Sequence, residues 1–103
     1  MADLRLDLYV VGNSPSAKIA LANLRRICEE RLGNAYALQV VDVLENPEAA
    51  EEANIVATPT LIKRDPPPVR RIIGDLSATE TVLRSLDIDD EDVKHSEKER
   101  SDE

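Results

Sequence analysis

The residues able to do covalent or redox chemistry are few, and their placement works against it. The chain of 103 residues holds one cysteine, Cys28, and one histidine, His95. A redox thiolate is best placed at a helix N-terminus, where the helix dipole and free amides lower the thiol pKa. The first helical stretch opens with Gly12-Asn13-Ser14-Pro15 and has no cysteine there; Cys28 instead falls on its apolar stripe, where a cysteine behaves as a small hydrophobe. One Cys and one distant His do not make a zinc site. A Ser-His-Asp device lacks a positioned histidine, because His95 lies in an acidic tail. Asp87, Asp89, Asp90, Glu91 and Asp92 lack the glycine and spacing of a calcium loop, and no glycine-rich phosphate loop occurs. Asp42 and Asp75 would make a carboxylate pair only if folding brought them together. No catalytic residue, metal ligand or cofactor is expected; the remaining chemistry is recognition of another protein.

The elements that would position such a surface are legible. Leu4, Leu6, Leu8 and Val10 alternate with Arg5, Asp7 and Tyr9, the period of a strand. Ser14 offers an N-cap oxygen and Pro15 suits the first helical position. Ala17, Ala20, Leu21, Leu24, Ile27, Cys28 and Leu32 then recur at helical steps, and Gly33-Asn34 marks the stop. Tyr36 to Val43 is β-branched and mostly apolar, which predicts a strand covered on both faces. Asn46-Pro47 opens a short helix rich in alanine and glutamate, which Asn54 can close. Ala57-Thr58-Pro59-Thr60-Leu61 joins two apolar runs through a proline that opens a strand from Thr60 to Lys63. The Thr58-Pro59 step reads either as an ordinary trans turn or as the cis proline that thioredoxin-like folds place before a strand, since only X-Pro bonds adopt cis at low cost. After the breaker at 64–68, Val69 to Gly74 predicts a strand that closes a hairpin. Ser77, with Glu80 three residues on, reads as a capping box for a last helix presenting Val82, Leu83 and Leu86. The order β-α-β-α-β-β-α predicts an α/β, thioredoxin-like sandwich.

Composition sets the outer limits. Phe and Trp are absent and Tyr9 and Tyr36 are the only aromatics, so the core must be aliphatic and no stacking platform for bases exists. The net charge is −8, and Asp87 to Glu103, with nine acidic and three basic residues, carries −6 of it. The expected organisation is one domain over residues 1–88 and an acidic, disordered tail over 89–103 that solvates the protein. Without a basic face, nucleic-acid binding is not expected. No apolar run reaches membrane-spanning length and no signal peptide is recognisable, so a cytoplasmic location is expected, with no membrane role.

Several runs resemble the KaiB family of circadian clock proteins. They are Leu8-Tyr9-Val10-Val11-Gly12-Asn13-Ser14-Pro15, Tyr36-Ala37-Leu38, Val41-Asp42-Val43-Leu44-Glu45-Asn46-Pro47, Ala57-Thr58-Pro59-Thr60-Leu61, and Pro67-Pro68-Val69-Arg70-Arg71-Ile72-Ile73-Gly74-Asp75-Leu76-Ser77. The likeness runs from Leu4 to Leu86. It implies a non-enzymatic regulator that binds the N-terminal ring of a KaiC-type ATPase as a thioredoxin-like monomer. It also implies links to KaiA, or to a histidine kinase of the SasA type whose sensory domain is itself KaiB-like; action on such a kinase is the alternative function. The family further implies a resting homo-oligomer, dimer or tetramer, in which the C-terminal half switches fold. On the family's pattern Leu44, Asn46, Pro47, Ala50 and Asn54 form the partner surface, Arg70 and Arg71 serve either the interface or strand-edge solvation, and Pro59 is structural.

The departures bear on this reading. Clock-type members commonly have glycine late in the last helix, where this chain has Ser85, the better helix former by a few tenths of a kcal/mol. Beyond Leu86 the run Asp87-Ile88-Asp89-Asp90-Glu91-Asp92 offers little to bury. This chain is therefore expected to favour the thioredoxin-like fold more than clock-type members do, and KaiA binding, which uses the second strand edge, carries over least well.

Overall fold

The computed structural model describes residues 4–31 and 35–85. The elements are β1 (Leu4–Val10), α1 (Pro15–Arg31), β2 (Tyr36–Asp42), α2 (Pro47–Glu52), β3 (Thr60–Asp65), β4 (Arg70–Ile73) and α3 (Thr79–Ser85). The four strands form one sheet in the order β2-β1-β3-β4, with β1 parallel to β2 and antiparallel to β3, and β3 antiparallel to β4. This is the expected α/β, thioredoxin-like arrangement.

Strand β1 lies between two partners, and its alternation feeds both faces of the sheet. Leu4, Leu6, Leu8 and Val10 join Ala17, Ala20, Leu24, Ile27 and Cys28 of α1 and Val82 and Leu83 of α3 in the larger core. On the other side Tyr9 meets Val41, Ile62 and Ala53 beneath α2. The helix α1 starts as its sequence requires: the Ala17 amide donates to Ser14 Oγ at 3.2 Å, and Pro15 occupies the first turn. The expected stop at Gly33-Asn34, the apolar positions Leu32 and Leu86, and the acidic tail lie outside the described residues.

Four sequence expectations change. The strand β2, expected to be covered on both faces, is an edge strand with Val40 42% exposed and Ala37 and Gln39 also open; its apolar residues serve one face at a time. The strand β3 runs to Asp65 instead of Lys63. A bulge at Arg64 shifts the register with β1, so that Leu6 faces Lys63 while Arg5 faces Asp65 and bonds it at 3.3 Å. The hairpin partner β4 spans only Arg70–Ile73. The helix α3 begins at Thr79, not after Ser77. Asp75 Oδ1 accepts the Ser77 amide at 3.1 Å, and Leu76 takes φ 65 to reach the core, a backbone setting that costs a non-glycine residue roughly 1–2 kcal/mol. The first helical bond of α3 therefore runs from the Val82 amide to the Ala78 carbonyl. Lys63 is buried between Leu6 and Arg70 in the register, and among the described residues its ammonium has no hydrogen bond or ion pair.

Candidate functional site

The corner between β2 and α2 is built around Asp42. Its Oδ1 accepts the Gly12 and Leu44 amides, each at 3.0 Å, while its carbonyl accepts the Glu45 amide at 3.1 Å and the Asn46 amide at 2.9 Å. The Asn46 side chain adds a bond from Nδ2 to the same carbonyl at 3.3 Å, so it braces the corner and leaves the helix end uncapped by its own side chain. Gly12 sits at φ 48 directly beside this carboxylate, a conformation open to glycine at little cost. The turn after β1 and the corner after β2 are thereby locked together, and Leu44 is held at the apex, 69% exposed.

From this corner α2 rises with Pro47 at its first turn. It is six residues long, too short to be stable alone, so its ends matter. At the C-terminal end Asn54 takes φ 57 while its amide donates to Glu51 and the Ile55 amide donates to Ala50, the paired bonds of a Schellman motif. Ala49, Ala53 and Ile55 pack inward, whereas Asn46, Pro47 and Asn54 are exposed and Ala50 is half-buried. A shallow groove of about 330 Å³ follows, lined by Val43, Pro47, Ala50 and the run from Ile55 to Thr58, with Val56 86% exposed. The segment itself is acidic: Glu45, Glu48, Glu51 and Glu52 are all exposed, and no lysine or arginine occurs between Arg31 and Lys63; the cation that reaches its carboxyl end, Arg71, comes from β4.

The fold thus gathers Leu44, Asn46, Pro47, Ala50 and Asn54 onto one corner and one short helix. It separates the two arginines. Arg71 faces the α2 side, where Nη2 donates to Ala53 O at 2.9 Å and Nη1 to Asn54 O at 3.3 Å. Arg70 is exposed and, by strand alternation, points to the opposite side, with Ile72. Pro59 is buried behind the groove and follows a cis peptide bond; Asp65-Pro66 and Pro67-Pro68 are cis as well. The Pro59 carbonyl accepts the Gly74 amide at 2.9 Å.

Two features of this side were not read from the sequence. One is the organising role of Asp42, for which an Asx residue at the carboxyl end of a strand was the available signal. The other is a polar cluster below α2: Arg64 Nε donates to Asp7 Oδ2 and Arg64 Nη2 donates to Tyr9 Oη, both at 2.9 Å. The bond to Asp7 raises the Arg64 pKa above its already high value. Asp42 and Asp75 are engaged with different groups, the Gly12 and Leu44 amides for one and the Ser77 amide for the other. Cys28 is 1% exposed, and burial, with Glu29 adding to it, pushes its thiol pKa up to about 12, which holds it as an unreactive thiol.

A family model described as the KaiB domain matches residues 7–88. The circadian clock protein KaiB3 of Synechocystis sp. is 57% identical over 83 residues, covering 81% of each chain. The circadian clock oscillator protein KaiB of Microcystis aeruginosa is 54% identical over 92 residues, covering 89% of this chain and 88% of that one. Among solved structures, the N-terminal domain of Synechococcus elongatus SasA superposes with a TM-score of 0.70 at 24% identity, covering 84% of this chain and 81% of that one. Mitochondrial thioredoxin 3 of Saccharomyces cerevisiae gives 0.66 at 17%, covering 84% and 79%. The two structural likenesses establish the shared fold.

Proposed function

The chain belongs to the KaiB family, and from that membership we propose that it is a non-enzymatic regulator that docks on a KaiC-type ring ATPase and modulates its phosphorylation or ATPase cycle. The observation that carries this reading is the corner itself: an apolar apex at Leu44, 69% exposed, held by four backbone amides on one aspartate and continued by the open faces of α2. A surface ordered in advance loses little entropy on binding. An exposed leucine beside an apolar groove fits a buried contact at the centre of an interface, with charged residues at its rim.

The proposed contact set is Leu44, Asn46, Pro47, Ala50 and Asn54, with Pro59 shaping the groove from behind; Arg70, on the opposite side of β4 with Ile72, fits strand-edge solvation. The exposed glutamates ask for a basic partner face, and charge complementarity of that kind acts mainly on the association rate. Residues 1–88 are taken as the binding domain and 89–103 as a solvating tail, in a cytoplasmic protein. Ser85, in place of glycine, supports persistence of the thioredoxin-like state.

Size-exclusion chromatography with light scattering, on the chain alone and mixed with the KaiC-type ATPase of the same organism plus ATP, tests the reading from minutes to a day. Co-elution is expected, starting from the monomer and rapid. A slow approach from a tetramer would mean that a resting fold must first convert. Absence of a complex with either ATP or ADP would sink the reading and bring forward an interaction with a SasA-type histidine kinase.

A further inference from the structure

We infer that Arg71 is a positioning residue for the docking surface: its guanidinium, held on β4, clamps the carboxyl end of α2 and so sets how Pro47, Ala50 and Asn54 are presented to a partner. The inference rests on the docking function proposed above and assigns to Arg71 a task within it that involves no contact with the partner.

The geometry is a fork. Nη2 reaches the carbonyl of Ala53, the C-cap residue of α2, at 2.9 Å, and Nη1 reaches the carbonyl of Asn54, the next residue, at 3.3 Å. The last carbonyls of a helix have no intrahelical donors and carry the negative end of its dipole, so a cation placed there satisfies both their hydrogen-bonding and their electrostatic demand. Sheet register brings Arg71 to this place. It pairs with Ile62, which is fully buried in the small cluster beneath α2 together with Tyr9, Val41 and Ala53.

The helix needs such a clamp. It has six residues, none of them fully buried. Its amino end is tied through Asn46 to Asp42, whereas its carboxyl end has, among the described residues, the Schellman bonds, a thin apolar contact and the fork. Without the fork α2 can tilt about the Asn46 corner, which displaces Ala50 and Asn54 relative to Leu44. A lysine would supply the charge at a single point but not the two parallel donors. The neighbouring Arg70 is the natural control, since it sits on the same strand and points to the other face.

Arg71→Ala, Arg71→Lys and Arg70→Ala variants of the full chain, compared by amide hydrogen exchange and by titration against the ring ATPase, decide the matter. In Arg71→Ala the Asn54 and Ile55 amides, which close α2, are expected to exchange at least tenfold faster, while amides in the middle of α1 keep their rates, and the ring is bound at least tenfold more weakly. Arg71→Lys should fall between the two, and Arg70→Ala should leave α2 exchange unchanged. Binding lost with α2 exchange unchanged overturns the inference and makes Arg71 a direct contact. Faster α2 exchange with binding intact overturns it as well, because the clamp would then be merely structural. If the unaltered chain fails to bind the ring, the docking function falls and the positioning role falls with it, whereas the exchange data still report whether the fork holds α2.

Discussion

The two faces of the sheet are held by different physics. The α1 and α3 side is an aliphatic core: thirteen buried residues from β1, α1, β3, α3 and the turn at Leu76 form one cluster. The α2 side has four, Tyr9, Val41, Ala53 and Ile62, and directed polar bonds around them: Arg64 to Asp7 and Tyr9, Arg71 to the end of α2, and Asp42 to the corner at its start. Apolar burial is non-directional and scales with area, so it stabilises the fold without fixing any one exposed group. Hydrogen bonds constrain distance and angle. The face that contributes least buried area is therefore the one on which exposed side chains are most closely oriented, as the proposed docking function requires.

The comparison can be broken first on the aliphatic side. Leu24, 1% exposed in the middle of α1, should cost about 2–5 kcal/mol when replaced by alanine, through lost burial and the cavity left behind. Urea unfolding with an unchanged m-value measures this, and a loss below about 1 kcal/mol would mean that this face does not carry the fold. On the other side Arg64→Met removes the partner of Asp7, whose side chain is only 12% exposed. A fully buried pair loses about 3–5 kcal/mol when broken in this way. Arg64 is 34% exposed and partly screened, so about 1–3 kcal/mol is expected. Replacing Asp7 by leucine in the same chain should recover most of it. A neutral Arg64→Met would remove the claim that polar bonds hold the α2 side.

Cys28 gives a smaller, pH-dependent test of the aliphatic face. Its folded pKa is raised by burial from 9.0 to about 12. The thiol's contribution is thus fully present below the unfolded value and is lost as pH rises through the folded one. Between pH 9 and 11 stability should fall by at most about 1.4 kcal/mol per pH unit from this group. Denaturant unfolding of the chain and of Cys28→Ala at pH 7, 9 and 10 measures it: the variant should show the shallower slope, and equal slopes would mean that the thiol is not held in apolar surroundings. The smallest stability effect is expected at Leu44. Because it is largely exposed, Leu44→Glu should change stability by no more than about 0.5 kcal/mol while weakening binding to the ring at least tenfold. A variant that binds as well as the unaltered chain would remove Leu44 from the contact.

What the sequence by itself determined was local. The period of β1, the Ser14-Pro15 start and apolar stripe of α1, the Asn46-Pro47 opening of α2 and its close at Asn54 each depend on residues within about one helical turn, and each is present. The element order and the proline before β3 were enough for the fold class. Tertiary structure alone decided that β2 lies at an edge, because its apolar run is equally compatible with a central strand. It decided that Arg64 extends β3 by bonding across to Asp7, and that α3 starts one residue late because Leu76 turns into the core. It also turned Asp42 from a possible member of an acidic pair into the keystone of the corner, and sent Arg71 to α2 and Arg70 to the opposite side. The cross-chain bonds behind these outcomes join residues 17 to 57 apart, and a local pattern carries no information about which strand will lie beside which.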